Sequence, residues 1–148
     1  MNAALSESLL DFFNKHHDKL LCTSNRLGEP NISLMGTPRL MKDGTIEFEI
    51  SDVISKTLDN IKENKHVVFM AYSPGVRARD FTGARIYADV TDIQYSGEKL
   101  EGIRRKILER HGPEKAAELQ ATLTCVVTNV RPVVDRGQYW NEPPFEEG

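Results

Sequence analysis

Ile46, Phe48 and Ile50 alternate with Glu47 and Glu49, so Thr45–Ile50 has one apolar and one polar face and reads as a strand. Residues 31–35 (NISLM) alternate in the same way, and within residues 84–93 Ile86, Ala88 and Val90 alternate with Arg85, Tyr87 and Asp89. Lys19–Ser24, residues 67–72 (VVFMAY) and residues 123–130 (LTCVVTNV) are short apolar or β-branched runs bounded by turn residues, which predicts three more strands. Asn25, Gly28 and Pro30 separate the first pair, and Asp43-Gly44 predicts a two-residue hairpin. Pro38 suits an edge or a bulge, after which Arg39-Leu40-Met41 resumes an extended course.

Helical spacing is confined to short stretches. Ser6 can cap a helix whose apolar face is Leu9, Leu10, Phe12 and Phe13. Ser55 can cap a second, opened by Lys56 and Thr57. Leu100, Ile103, Ile107 and Leu108 recur at helical intervals, and His111-Gly112-Pro113 ends that helix and starts another. The count is about six strands with three or four short helices. Tight turns imply antiparallel neighbours, and short, evenly spaced strands favour closure into a small barrel. The prediction is one domain over residues 1–148, mainly β with short helices, arranged as a six-stranded antiparallel barrel.

Composition narrows the partners more than the fold. The 148 residues carry a formal net charge of −3, which gives nucleic-acid binding no electrostatic support. No apolar run reaches membrane-spanning length, and the amino terminus lacks the basic region and apolar stretch of a secretory signal. A cytoplasmic protein with no nucleic-acid and no membrane partner is expected. Cys22 and Cys125 lie in apolar strand-like runs and are expected to be inert core thiols. His16, His17, His66 and His111 show no metal-ligand spacing, so no metal site is expected.

The chemistry is concentrated at the second helix. Lys56 and Thr57 fall in a first turn, where backbone N–H groups lack intrahelical acceptors. The helix dipole mildly disfavours a cation there, unless an anion such as phosphate sits between it and the N–H groups. A solvated lysine on an ordinary capped helix is the alternative. Arg77, Arg79 and Arg85 form a second polar group that could hold a phosphate or face solvent. Tyr139 and Trp140 could cover a planar ligand or pack on the core or a partner subunit. No nucleophile–base motif and no glycine-rich phosphate loop is present, and no side-chain acid or base is nominated as catalytic.

Residues 46–61 (IEFEISDVISKTLDNI) combine an extended strand, a polar turn, Ser-Lys-Thr and an Asn three residues on, followed by a valine-rich strand. This run and the order of elements over residues 20–130 resemble the FMN-binding split-barrel proteins of the pyridoxamine 5′-phosphate oxidase-like superfamily, the small FMN-binding proteins more than the full oxidase. The resemblance implies a split barrel binding FMN at a homodimer interface. It places Ser55, Lys56 and Thr57 at the phosphate, with Asn60 supporting that turn. It places Glu49, Ile50, Ser51 and Asp52 beside the ring and ribityl chain, and Met35, Gly36 and Thr37 where backbone meets the ring. The oxidase's carboxy-terminal substrate-phosphate residues have no match here. What the resemblance implies is an oxidoreductase or an electron-transfer protein with a small-molecule or protein electron donor or acceptor. The alternatives are an F420- or haem-binding protein of the same fold and a non-enzymatic dimeric module with a degenerate site.

Overall fold

The computed structural model describes residues 5–51 and 54–135. Its order is α1 (Glu7–Lys15), β1 (Lys19–Ser24), β2 (Pro30–Met35), β3 (Arg39–Leu40), β4 (Thr45–Ile50), α2 (Lys56–Glu63), β5 (His66–Ser73), a 3₁₀ turn (Ala78–Asp80), β6 (Thr82–Gln94), α3 (Glu98–His111), α4 (Pro113–Glu118) and β7 (Ala121–Pro132). The strands form one sheet in the order β2-β1-β5-β6-β7-β4-β3, and every neighbouring pair is antiparallel. Among the described residues there are seven strands where six were expected. The seventh is β3, only two residues long and entered through Pro38, too short to give a periodic signal.

The sheet curls on itself. β5 and β4 are three places apart in the order, about 14 Å in a flat sheet at ordinary strand spacing. Yet the Phe69 and Phe48 rings meet edge to face, centroids 5.5 Å apart. Register shifts between β6 and β7 at Tyr87/Ala88 and Val90/Asp92 are bulges of the kind that bend a ribbon. Leu21, Ile46, Phe48, Ile50, Phe69, Ile86 and Leu123 fill the interior.

α1 closes one side of this core. Ser6 caps it, its hydroxyl accepting from Leu9 N–H at 3.1 Å, and Leu9, Leu10, Phe12 and Phe13 are buried. Phe13 reaches Phe69 edge-on at 6.3 Å. The Asn14 amide donates to the Leu40 carbonyl at 2.9 Å and accepts from Leu40 N–H at 2.8 Å. It thus satisfies the outer edge of β3 as another strand would.

The β3–β4 connection differs from the two-residue hairpin expected. Gly44 N–H donates to the Met41 carbonyl at 3.0 Å and Met41 N–H to the Thr45 carbonyl at 2.8 Å. That makes a three-residue loop with Gly44 at φ +86, a conformation that favours glycine. The Asn25–Glu29 turn repeats the pattern, with Gly28 at φ +83. α3 also differs in part, because only Leu100 of its expected apolar face is buried and Leu108 is exposed. Among the described residues no helix is long and apolar enough to cross a membrane.

Candidate functional site

Ser55 opens α2 as its N-cap, the hydroxyl accepting from Leu58 N–H at 3.0 Å. A serine side chain here replaces a backbone acceptor that the first turn lacks. The next two residues diverge. Thr57 turns inward, 3% exposed, and its hydroxyl meets that of Ser33 on β2 at 2.9 Å. Lys56 is exposed at the helix start and makes no ion pair among the described residues.

One turn further, Asn60 is 1% exposed and donates to the Thr23 hydroxyl at 3.1 Å, while its Oδ1 has no hydrogen-bond partner among the described residues. Ser33, Thr57, Thr23 and Asn60 therefore join α2 to β1 and β2 through side-chain hydroxyl and amide groups. Sequence reasoning missed Ser33 and Thr23. No local signal marked them, because each is a small hydroxyl residue that only the packing of α2 on β1 and β2 brings to the site.

A second set of expected residues gathers at the ends of β2 and β4. The Thr37 hydroxyl accepts from Glu49 N–H at 3.2 Å and donates to the Glu49 carbonyl at 3.3 Å. Arg39 then reaches over, donating to the Thr37 carbonyl at 3.1 Å and pairing with the Glu49 carboxylate at 3.3 Å. Arg39 was not among the residues expected at the site, and it gives the expected Glu49 a cation to pair with. Met35 is half-buried, and Gly36 and Thr37 are exposed. Ile50 points into the core at 1% exposure and its carbonyl accepts from Gln120 N–H at 2.8 Å, so its side chain is structural. Ser51 is half-buried, and Asp52 lies outside the described residues.

The other candidates are dispersed. Arg85 donates to the Pro132 carbonyl at 3.0 Å and pairs with Asp135 at 2.5 Å, while Arg77 and Arg79 stand on an exposed turn. Tyr139 and Trp140 lie outside the described residues. Cys125 is fully buried, as expected, but Cys22 is half-buried on the outer face of the sheet. That outer face is apolar. Leu20, Cys22, Ile32, Val68 and Met70 line a recess of about 240 Å³, with Ile32 at 65% and Leu34 at 70% exposure on β2.

The curled antiparallel sheet, with α1 against its core and α2 leading into β5, is a fold shared with solved structures of 17–23% sequence identity. Among solved structures, the chain is similar to an FMN-binding protein from Syntrophomonas wolfei, at 23% identity and a TM-score of 0.69, over 86% of this chain and 85% of that one. It is also similar to HupZ of Group A Streptococcus, at 20% identity and a TM-score of 0.67, over 86% and 93%. A third, HutZ, the haem-storage protein of Vibrio cholerae, has 17% identity and a TM-score of 0.59, over 84% and 92%. At these identities the likeness concerns the fold. No family model and no curated protein matches the sequence.

Proposed function

We propose that the chain binds FMN at a homodimer interface and serves as a cytoplasmic oxidoreductase or electron carrier. The observation that carries this reading is the opening of α2, where exposed Lys56 stands beside first-turn N–H donors and the buried Ser55 and Thr57 hydroxyls. In this reading the flavin phosphate sits on Lys56, Ser55 and Thr57, with Asn60 bracing the turn. The ring runs along Met35, Gly36 and Thr37 on one side and the Glu49–Ser51 backbone on the other. When bound, FMN supplies the redox chemistry, and the protein orients the ring and sets the charge around it.

The absorption spectrum of freshly purified protein tests the cofactor, because flavin, F420 and haem absorb differently. Lys56→Ala removes a charge-assisted phosphate contact of about 1.5–3 kcal/mol, a loss of tenfold or more in FMN affinity. Fluorescence titration measures it, and an unchanged dissociation constant would remove Lys56 from the phosphate site.

The exposed apolar face around Ile32 and Leu34 supports the dimer, since such patches on a small protein mark contact surfaces. Leu34→Asp is expected to leave the fold intact, because the side chain is already exposed, and to give a monomer in sedimentation equilibrium. A dimer that survives this change uses another face.

A further inference from the structure

Lys19 is a buried side chain that the flavin reading leaves unexplained. It opens β1, is 1% exposed, and lies over the Phe13 ring with its ammonium 5.0 Å from the centroid. Its ammonium donates to the His16 carbonyl at the end of α1, which places a cation at the negative end of that helix. That bond uses one of three N–H donors, and the other two have no protein acceptor among the described residues. Lys19 makes no ion pair with a carboxylate there either. A methionine could cover Phe13 without desolvating a charge.

A second cation lies close by. A groove of about 390 Å³ opens between the end of α1 and the Gly36–Met41 segment, lined by Lys19, Arg39, His17, Asn14, Gly36 and Thr37 among others, with no carboxylate in its lining. Burial holds the Lys19 ammonium below its ordinary value; Asp18 opposes this and Arg39 adds to it. Arg39 is compensated from outside the groove, by Glu49. The groove thus brings two cations together with no carboxylate in its own lining, Glu49 and Asp18 acting on them from outside it.

We propose that this groove binds a small oxyanion, a carboxylate or phosphate group, between the Lys19 ammonium and the Arg39 guanidinium. The site lies apart from the α2 opening, but it shares Gly36 and Thr37 with the face proposed for the flavin ring.

Amide-shift titration of the full-length protein by NMR, with sodium phosphate and separately with sodium acetate, each against sodium chloride at equal ionic strength, tests this. The expected result is a saturable shift concentrated on residues 14–19 and 36–41 with at least one oxyanion and not with chloride. Which salt saturates distinguishes phosphate from carboxylate. Arg39→Gln should weaken that binding about tenfold or more, whereas Glu49→Gln, which breaks the same ion pair but keeps the cation, should retain it. Lys19→Met should abolish it, and if that variant does not fold the Arg39 and Glu49 pair decides. Shifts that never saturate, that chloride reproduces, or that are equally strong in Arg39→Gln overturn the proposal. FMN binding is read separately by its spectrum, so either reading can fail alone.

Discussion

Replacing Phe69 with alanine is expected to destabilise the protein by about 3–5 kcal/mol, a large share of the roughly 5–15 kcal/mol that holds an ordinary domain together. The ring is fully buried and touches both the α1 ring Phe13 and the β4 ring Phe48. Its removal leaves a cavity where the curled sheet and the helix meet, and neither can collapse without disturbing the other. Phe69→Leu keeps most of the volume and should cost less than half as much. Met70, next in the chain, faces the outer recess and is half-buried, so its truncation should barely change the monomer's stability. Urea unfolding followed by circular dichroism measures all three. A Phe69→Ala loss below about 1 kcal/mol, in the range of ordinary surface changes, would mean that the curl does not rest on this contact.

The contrast between Phe69 and Met70 is not legible in the uniformly apolar run of residues 67–72, but much of the fold is legible where polar residues mark the outer face. Strands with one face against a core must alternate, as Ile46, Phe48 and Ile50 do at 0%, 0% and 1% exposure. Local caps were equally readable: Ser6 and Ser55 each accept the bond expected of an N-cap, and Gly112-Pro113 separates α3 from α4. Pairing between distant segments was not. Nothing local in β1 says that it lies beside β5, nor in β4 that it lies beside β7. The two-residue β3 depends on Asn14, 26 residues away, for its outer hydrogen bonds. The candidate site divides along the same line. The helix opening at Ser55–Thr57 was legible because it is local, whereas Ser33, Thr23 and Arg39 enter only through tertiary contacts. Lys19 read as the polar start of an apolar strand, and its burial follows from where α1 packs.

Alkaline solution is expected to weaken the fold through Cys125. The thiol is fully buried on β7 between Ile46 and Val90 as ladder partners. Burial, with the Asp89 charge adding to it, pushes it up from 9.0 to about 12. Between these values the unfolded chain releases the thiol proton while the folded chain keeps it, so the unfolded state binds fewer protons and stability falls as pH rises. The contribution is fully present below pH 9 and diminishes by about 1.4 kcal/mol per pH unit above it, for a total loss of about 4 kcal/mol by pH 12. Lys19 works in the opposite direction: its folded-state value is lowered, so stability rises with pH up to the unfolded value of 10.5. The wild type alone therefore reports a mixture. Comparing urea unfolding of wild type and Cys125→Ala at pH 8 and pH 10 cancels Lys19 and isolates the thiol. Cys125→Ala should be less stable than wild type at pH 8, from lost packing, and the gap should shrink by about 1.4 kcal/mol at pH 10. A gap of constant size would show that the thiol ionises as readily in the folded chain as in the unfolded one.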